Sequence, residues 1–521
     1  MRDLINNGWV GNYSYFRARI TPDKEAVYDL DSNRRFTYKD LEDRANILGN
    51  YLSQHLGIEK GDRVAAISRN RVELIDLYYA TAKTGTIFVP YNSRLSDKEL
   101  IQLIRLENPR VLFYEEIYSD SIKHIAEQTD IEFMVCLDNA DGVNQYDEIM
   151  ASGNKAEIAC NELDFEDIHM IIHTGGTTGL PKGGMLSHRA LLFNSMNEVI
   201  TWGISHTDVA HILLPLFHTG GWNLLTLPIL HSGGRIILNR QFDPELALEI
   251  IEKEKPSFIF GAATIFRMMI NTDSFENTDF SSVKWVMAGA APTPINIMEK
   301  FWEKNIPFVL GYGMTEAGPN NLTAPAEFMS FSDMRDKFES VGKPMYFTLV
   351  KIVDDNGNEV PDGTPGELIW SGPQIFSGYW GNPEETEKTL VDGWVYTGDM
   401  AVRDKDGFYY IVGRKKNMYI SGGENVFPPE VETAIYEYPG INEVVVIGVK
   451  DEKWGEVGKA VISLKKGMNV EISDLHDYLG KSLAKYKIPK YYKIIEDIPK
   501  NNVGKVMRNE VERLYGSSNN N

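Results

Sequence analysis

Hydrophobic positions recur with two alternating periods along the first part of the chain. Residues 36–52 place apolar side chains three and four positions apart, which is typical of an amphipathic helix. Thr37 is suited to cap this helix, because its side-chain oxygen can accept a hydrogen bond from a first-turn amide. Residues 61–67 indicate a turn and a short buried strand, and residues 74–82 a second helix before the apolar run 87–90. Strands separated by helices predict parallel sheets that helices cover on both faces.

The same alternation returns after residue 165, where residues 188–201 predict a helix. The short apolar runs that predict strands in this part of the chain are 168–172, 212–215, 235–238, 258–260 and 283–287. From about residue 340 the pattern changes to tight turns between short strands, at 354–357, 361–363 and 404–407. Such closely spaced turns predict a small antiparallel unit.

A last module begins near residue 415, with a predicted helix at 429–436, a strand at 444–449 and a helix at 473–485. A chain of 521 residues is too long for one hydrophobic core. We therefore predict an α/β protein with an N-terminal domain of residues 1–414 and a C-terminal domain of residues 415–521.

The net charge of the chain limits the classes of molecule that it is expected to bind. Lys and Arg number 53 against 74 Asp and Glu, which gives a net charge of -21. A surface this acidic repels nucleic acid and anionic lipid at long range, so a nucleic-acid partner is not expected. A few local cations are still sufficient to bind one triphosphate.

The hydropathy, the first residues and the cysteines of the chain indicate the compartment of the protein. No window approaches ~18 uninterrupted apolar residues, the length that a membrane span needs, and the first residues lack the layout of a signal peptide. Cys136 and Cys160 belong to no CxxC or Cys/His cluster, so neither zinc nor a disulfide framework is indicated. These features predict a cytoplasmic protein without an integral membrane segment.

The segment with the most chemical information is residues 173–184, between the predicted strand 168–172 and the predicted helix. Its glycines would let backbone amides approach an anion closely, its threonines add hydroxyl donors and Lys182 adds positive charge. A Walker A loop has glycine before its lysine and Ser or Thr after it, whereas Pro181 and Gly183 occupy those places. The pattern favours a phosphate-binding loop of another type over a merely flexible loop.

The string TGGTTGLPKG in this loop resembles the signature of the adenylate-forming superfamily, which includes acyl-CoA synthetases, aryl-CoA ligases, luciferases and peptide-synthetase adenylation domains. The resemblance runs from about residue 25 to about residue 510, with further motifs in the family's order. It implies two stacked α/β subdomains and a small β-barrel, followed by a mobile, small α+β domain. It also makes Lys182 catalytic and implies nucleotide contacts by Thr174, Gly175, Gly176, Thr177, Thr178 and Gly179.

The second matching motif is GYGMTE, residues 311–316. The resemblance implies that Tyr312 lies on or beside adenine, that Thr315 is a catalytic residue bonded to the α-phosphate, and that Glu316 helps to bind Mg²⁺. Magnesium often takes only one or two protein carboxylates and leaves its other positions to phosphate and water. Gly311 and Gly313 would lie beside the nucleotide. Without the resemblance, this tyrosine and glutamate would more often be structural.

The YTGD string that ends at Asp399 resembles the family's ribose motif. An ionised carboxylate held on a turn can accept hydrogen bonds from both ribose hydroxyls. The following GRKKN string resembles the hinge between the two domains, with Arg414 on ribose or phosphate oxygens and Lys416 at the pivot. The family often has an acidic residue where Asn417 stands, so one polar contact of the hinge is in doubt.

Two further motifs follow. Residues 421–432 resemble the CoA-ligase form of the next motif, in which the Gly422, Gly423 and Glu424 segment would let the pantetheine thiol pass close to the backbone. Residues 499–508 are similar to the terminal lysine motif. This resemblance makes Lys505 a catalytic cation at the carboxylate oxygen and the α-phosphate, where a fixed ammonium stabilises the charge of the transition state.

Three segments should line the acyl pocket by family analogy, and none of them carries a fixed charge. The implied pocket residues are His218, Gly220, Gly221, Trp222, Ala288, Gly289, Gly313 and Met314. The segment Gly289, Ala290 and Ala291 would also contact the nucleotide. An uncharged pocket favours an aryl acid or a medium or long aliphatic acid. Close packing is the structural alternative for the glycines.

The resemblance implies two half-reactions. A carboxylate oxygen attacks the α-phosphorus of ATP and expels pyrophosphate, and a thiol, expected to be coenzyme A, then attacks the acyl carbon. The small domain would swing about Lys416 between the two steps. The implied partners are a small carboxylic acid, ATP, Mg²⁺ and CoA, and a homodimer remains open.

The sequence leaves three alternative functions open. An amino-acid-adenylating domain that loads a carrier protein usually has Asp where His218 stands, and no carrier domain is expected after Asn521. A luciferase-like oxygenase shares nearly every motif. A catalytically silent nucleotide- or lipid-binding protein should have lost charged positions, yet all five are present: Lys182, Glu316, Asp399, Arg414 and Lys505.

Overall fold

The computed structural model describes residues 9–138, 145–174, 180–289, 293–500 and 506–517. These residues form two compact units. The larger unit contains the residues up to Val350 together with Trp370–Val395, and the smaller unit contains Lys351–Ile369 and the residues from Tyr396 onward. In the described ranges, no helix is both long and apolar enough to cross a membrane.

The larger unit is built on two mainly parallel sheets. Its strands are β1 Glu25–Asp29, β2 Arg34–Thr37, β3 Arg63–Ile67, β4 Ile87–Tyr91, β5 Val111–Tyr114, β6 Phe133–Cys136, β7 Ile168–Thr174, β8 Lys182–Ser187, β9 Val209–Ile212, β10 Arg235–Leu238, β11 Phe258–Gly261, β12 Trp285–Ala288, β13 Phe308–Tyr312, β14 Leu322–Thr323 and β15 Lys343–Pro344. One sheet has the order β6-β5-β3-β4-β7-β8, and the other has the order β15-β14-β13-β12-β11-β9-β10-β1-β2.

Only the strands at the margins of these sheets run antiparallel to their neighbours. In the six-stranded sheet that strand is β8, and in the nine-stranded sheet these strands are β2, β14 and β15. The remaining pairs are parallel. The prediction of parallel sheets separated by helices is therefore confirmed.

Helices connect the strands of the larger unit. They are Tyr13–Ile20, Tyr38–Asn50, Val72–Thr84, Asp97–Glu107, Ser119–Ala126, Gln145–Ser152, His188–Trp202, Leu227–Ser232, Pro244–Glu254, Ala263–Ile270, Ile295–Trp302, Phe331–Asp336 and Pro383–Thr389. The cap predicted at Thr37 is present, because its side chain accepts from the amide of Asp40 while the Asp40 carboxylate accepts from the amide of Thr37. Apolar faces of helices 97–107 and 119–126 pack on β3, β4 and β5 and form one core.

A five-stranded sheet follows in the chain, where tight turns predicted an antiparallel unit. Its strands are β16 Leu349–Val353, β17 Gly366–Ser371, β18 Leu390–Val391, β19 Trp394–Arg403 and β20 Tyr409–Arg414. The order is β16-β17-β19-β18, with β20 also beside β19. The pairs of β19 with β18 and with β20 are antiparallel, as the turns predicted.

The part of the smaller unit that follows Arg414 is an α+β module. Its strands are β21 Tyr419–Ser421, β22 Glu424–Val426, β23 Ile441–Asp451, β24 Gly455–Leu464 and β25 Tyr491–Ile495, and its helices are Pro428–Tyr436, Ile472–Leu479 and Arg508–Tyr515. Apolar clusters lie on both faces of this sheet. The compact smaller unit includes β20 and most of β19, so it starts before residue 415. The domain boundary proposed at 414/415 as a hinge stays a prediction.

Three predicted elements differ from the observed ones. The strand expected at 212–215 lies earlier, at Val209–Ile212, and the helix expected at 473–485 ends at Leu479 before Gly480. The third difference concerns residues 182–184, which were expected to end the loop 173–184. They belong instead to β8, an antiparallel partner of β7. A second segment, residues 377–380, lies along the other edge of this strand through backbone hydrogen bonds.

Lys83 and Glu42 form a buried ion pair in the larger unit. Lys83 is completely buried, and its ammonium donates to Glu42 Oε1 at 2.9 Å and to Asn12 Oδ1 at 2.5 Å. Ser14 Oγ donates to the other oxygen of Glu42 at 2.6 Å. Burial lowers the pKa of Lys83, and the nearby Glu42 charge opposes that shift.

Lys83→Met should lower the free energy of unfolding by about 3–5 kcal/mol, because it leaves Glu42 buried without its cation. Lys39→Met is the matched control, since Lys39 pairs with Asp43 at the surface and such pairs are worth about 0.3–0.5 kcal/mol. Urea unfolding of both full-length variants measures the difference. Equal and small losses in the two variants would contradict the role assigned to the buried pair.

Candidate functional site

The centre of the candidate site in the larger unit is the hairpin formed by β7 and β8. Thr174 ends β7 and is paired with Lys182 at the start of β8, and His173 is paired with Gly183. The predicted phosphate-loop residues Gly175, Gly176, Thr177, Thr178 and Gly179 lie outside the described residues. The hairpin thus brings Thr174 and Lys182 side by side at the two ends of the predicted loop.

A distant segment, residues 377–380, lies along the other edge of β8. The amide of Met185 donates to Gly378 O at 2.9 Å, the amide of Ser377 donates to Met185 O at 2.9 Å, and the amide of Trp380 donates to Gly183 O at 2.8 Å. A Cβ on Gly183 would lie 2.8 Å from Ile171 Cγ2 and 2.9 Å from Glu107 Oε1. Glycine is therefore required here by close packing.

This pairing brings Tyr379 to the predicted metal ligand. Glu316 is buried in the short helical turn Thr315–Ala317 after β13. The Tyr379 hydroxyl donates to Glu316 Oε1 at 2.6 Å. Burial and then the neighbouring Glu316 charge raise the pKa of Tyr379 far above its usual range, so the hydroxyl keeps its proton and acts as a donor.

Lys182, the cation of the predicted phosphate loop, lies against the ring of Tyr379. Lys182 Nζ is 5.1 Å from the centroid of the Tyr379 ring and 2.5 Å from Glu385 Oε2. Glu385 belongs to helix 383–389, whose first turn is capped by Asn382: the Glu385 amide donates to Asn382 Oδ1 at 3.2 Å. Tyr379 thus lies between Lys182 and Glu316, two residues that the sequence placed in different motifs.

The side chains of the site can be compared with the ligands that magnesium prefers. Among the described residues, no group of three or more His, Cys, Asp or Glu side chains could hold a metal ion by itself. A single buried carboxylate, Glu316, is nevertheless compatible with Mg²⁺, because this ion often takes one or two carboxylates and completes its shell with phosphate and water. The residues fit a magnesium ion that is carried by a polyphosphate.

The glycines of the second motif have structural reasons of their own. A Cβ on Gly311 would lie 2.4 Å from Asn320 Oδ1, and a Cβ on Gly313 would lie 2.4 Å from Pro319 O. Both positions therefore exclude larger residues. Between them, the Tyr312 ring is half-buried and tilted against Trp370, with ring centroids 5.4 Å apart. The partly exposed ring of Tyr312 stays available as the predicted adenine contact.

The predicted acyl-pocket residues fall into two groups. His218 is exposed and its Nδ1 accepts from the amide of Gly220 at 3.2 Å, whereas Trp222 is fully buried and stacks on Tyr78 with centroids 5.4 Å apart. No open space lies beside Gly221, because a Cβ there would lie 2.2 Å from Pro215 O. For Gly221 the close-packing alternative accounts for the glycine.

The second part of the predicted pocket follows β12. Ala288 is the buried last residue of that strand, and a Cβ on Gly289 would lie 2.9 Å from the Phe260 ring. Ala290 and Ala291 lie outside the described residues. Met314 precedes Thr315 and is half-buried.

In the smaller unit the ribose and hinge motifs come together. Asp399 and Arg414 face each other across β19 and β20, and Arg414 Nε is 2.5 Å from Asp399 Oδ1. Asp399 is buried while the Arg414 side chain is half exposed. Lys415 pairs with Glu367 at 2.9 Å. Lys416 is exposed in the following helical turn.

The predicted CoA-face glycines form the turn of the β21–β22 hairpin. Gly422 and Gly423 have φ of +62° and +90°, a backbone conformation that favours glycine in two-residue hairpin turns. A Cβ on Gly422 would lie 2.9 Å from the Trp454 ring. Glu424 is exposed at the start of β22. Lys505 lies outside the described residues.

Two groups of residues at the larger-unit site were missed from the sequence. The first is Tyr379 and Glu385, which reach the site by pairing between segments that are about 200 positions apart. The second is a buried pair below the hairpin: His173 Nε2 donates to Glu107 Oε1 at 2.7 Å, and the His173 ring stacks on Tyr91. No short-range pattern signals either group, because the contacts that bring these residues to the site join segments that are distant in sequence.

Comparisons with known proteins cover nearly the whole chain. The sequence model described as "AMP-binding enzyme" matches residues 16–380, and that described as "AMP-binding enzyme C-terminal domain" matches residues 430–505. A feruloyl-CoA synthase from Amycolatopsis sp is 33% identical over 98% of this chain and 100% of its own length. A long-chain-fatty-acid–CoA ligase from Bacillus subtilis is 33% identical over 94% and 91%.

Solved structures show the same likeness. ATP-bound MatB from Rhodopseudomonas palustris has a TM-score of 0.86 and 29% identity, over 97% of this chain and 99% of that one. The anthranilate CoA ligase AuaEII in complex with anthranoyl-AMP has a TM-score of 0.86 and 25% identity, over 98% of both chains. o-Succinylbenzoate CoA synthetase from Bacillus subtilis, in complex with its acyl-adenylate intermediate, has a TM-score of 0.83 and 28% identity, over 96% and 98%.

The buried His173–Glu107 pair below the hairpin should stabilise the fold. Glu107→Ala should lower the free energy of unfolding by about 1–3 kcal/mol, because His173 is left with an unsatisfied buried donor. Glu107→Gln keeps an acceptor and should lose less. The control is Glu127→Ala, whose side chain is exposed at the end of helix 119–126. Denaturant unfolding measures all three, and equal stability of the Glu107→Ala and Glu127→Ala proteins would refute the assigned pairing.

Proposed function

This chain belongs to the AMP-binding enzyme family, and from that premise we propose that it is an AMP-forming acyl-CoA synthetase. It activates a carboxylic acid with ATP to an acyl-adenylate and transfers the acyl group to coenzyme A. The observation that carries the proposal is the full-length similarity to acid–CoA ligases, which extends across both family models. The geometry around β8 supports it, because that region gathers the charged groups that a polyphosphate needs.

In the first half-reaction, a carboxylate oxygen forms a bond to the α-phosphorus of ATP and the bond to pyrophosphate breaks. Catalysis of such a step is mainly positioning and charge neutralisation. We assign Lys182 to phosphate oxygens, because it is the cation of the predicted loop 173–184 and is paired with Thr174 at the start of β8. We assign Thr315 to the α-phosphate, since its buried position lies next to Glu316. Mg²⁺, when bound by Glu316, would supply further neutralisation of the polyphosphate.

Tyr379 has a supporting role in this proposal. Its hydroxyl donates to one oxygen of Glu316 and thereby fixes the carboxylate in one orientation. A metal-binding carboxylate that is itself hydrogen-bonded is held in place by that bond. The Lys182 ammonium lies over the ring of the same tyrosine. We therefore regard Tyr379 as a positioning residue for both charged groups.

From the smaller unit we propose Asp399 for the ribose hydroxyls. One of its oxygens contacts Arg414, and a carboxylate has further lone pairs with which to accept hydroxyl donors. We propose Arg414 for ribose or phosphate oxygens. Lys505 as the cation of the adenylation step, Lys416 as the pivot, and Gly422 with Gly423 at the pantetheine remain proposals from the sequence.

We propose an acid with an aromatic or aliphatic apolar tail as the substrate. Two observations support this class: the predicted pocket segments carry no fixed charge, and the relatives include ligases named for ferulate, indoleacetate and long-chain fatty acids. CoA is the proposed acceptor, because the similar proteins are named as CoA ligases or synthases. The two free cysteines, Cys136 and Cys160, are consistent with a proposed location in the reducing cytoplasm.

The test is a panel of carboxylic acids assayed with Mg-ATP, with and without CoA. We expect AMP and pyrophosphate as nucleotide products, and an acyl-CoA thioester only when CoA is added. Aryl or straight-chain monocarboxylic acids should have a higher kcat/KM than amino acids and dicarboxylates. Formation of ADP and phosphate would refute the adenylation chemistry. A strong preference for a zwitterionic or doubly charged acid would refute the uncharged pocket.

A further inference from the structure

The Lys182 ammonium already has an anionic partner within the protein. Its Nζ lies 2.5 Å from Glu385 Oε2, and the two side chains are 29% and 34% exposed. The hydrogen bond from Lys182 is the main reason that the pKa of Glu385 lies below its usual range. The carboxylate therefore carries a full negative charge at neutral pH, directly beside the cation that we assign to phosphate.

Glu385 is held in this position by the fold rather than by the ion pair alone. Segment 377–380 is bonded to β8 through three backbone hydrogen bonds, and it leads directly into helix 383–389. Asn382 caps that helix at the Glu385 amide, and Pro383 at its first position favours the helical backbone. The carboxylate is thus anchored to the same strand that carries Lys182, so the two charges stay close together.

The other oxygen of Glu385 has a second cation within reach. Lys388 Nζ lies 3.4 Å from Glu385 Oε1 and 2.7 Å from Glu384 Oε1. If phosphate oxygens take over Lys182, Glu385 keeps Lys388 as a counter-ion and can stay ionised. Exchange of partners at Lys182 therefore needs neither protonation of Glu385 nor a change in the backbone.

We propose that Glu385 is a built-in competitor of polyphosphate for Lys182, one that weakens ATP binding and favours release of pyrophosphate. This inference rests on the proposed function, since it takes Lys182 as a phosphate ligand. A partly exposed ion pair is worth only about 0–1 kcal/mol, so phosphate can displace Glu385. The carboxylate also repels the polyphosphate, and it recovers Lys182 when pyrophosphate leaves.

The test compares Glu385→Gln with Glu384→Gln in the full chain. Glutamine keeps the size and an acceptor oxygen but removes the charge, and Glu384 is an exposed neighbour that contacts Lys388 and not Lys182. Calorimetric titration measures the Kd for inorganic pyrophosphate with Mg²⁺, for Mg-ATP and for AMP, at low and at high NaCl.

We expect Glu385→Gln to tighten binding of pyrophosphate and ATP by about threefold, in the range that partly exposed ion pairs allow. AMP binding should change much less, because AMP lacks the phosphates that leave as pyrophosphate. The gain should shrink in high salt, which screens exposed charges. Glu384→Gln should leave all three affinities nearly unchanged.

Weaker or unchanged pyrophosphate binding by Glu385→Gln would overturn the proposal and make Glu385 a residue that positions Lys182. An equal gain in Glu384→Gln would reduce the effect to general surface charge and overturn it as well. These titrations need no acid and no turnover. A wild-type chain that binds ATP but activates no acid would therefore refute the proposed function alone, and one that binds neither ATP nor pyrophosphate would refute both.

Discussion

Strand β8 pairs with a different segment on each of its two edges, and the candidate phosphate site depends on both pairings. On one edge, β7 pairs with β8 and sets Thr174 beside Lys182. On the other edge, residues 377–380 pair with β8 and deliver Tyr379 and, through helix 383–389, Glu385. Gly183 on this strand is itself closely packed, because a Cβ there would lie 2.8 Å from Ile171 Cγ2 and 2.9 Å from Glu107 Oε1. Backbone pairing therefore decides which charges meet.

In each unit, one cation that we assign to the nucleotide is paired with a carboxylate. Lys182 contacts Glu385 in the larger unit, and Arg414 contacts Asp399 in the smaller one. In a chain with a net charge of -21, such pairing orients each cation while it limits the local positive charge. Orientation lowers the conformational entropy lost on binding, and the nearby carboxylate lowers the gain from charge. At the Lys182–Glu385 pair the two effects oppose each other, which suits a cation that is proposed to bind ATP and then to release pyrophosphate.

The sequence predicted what local chemistry determines. The Thr37 cap, the parallel sheets and the strand that leads to the phosphate loop follow from side-chain spacing and were found as expected. The strand β8 was not predicted, because glycine is depleted in strands and a glycine-rich string before a helix indicates a loop. Gly183 is required by close packing against Ile171 and Glu107, which no local pattern reveals. Tyr379, Glu385 and the His173–Glu107 pair depend on contacts between distant segments, so they became visible only in the fold.

The chain should form an acyl-adenylate reversibly before any thiol is involved. Exchange of label between radioactive pyrophosphate and ATP tests it most directly, because label enters ATP only if the adenylate and pyrophosphate recombine. We expect exchange that requires an apolar carboxylic acid and Mg²⁺, and that proceeds without CoA. Exchange without any acid, or exchange that appears only after CoA is added, would contradict the account.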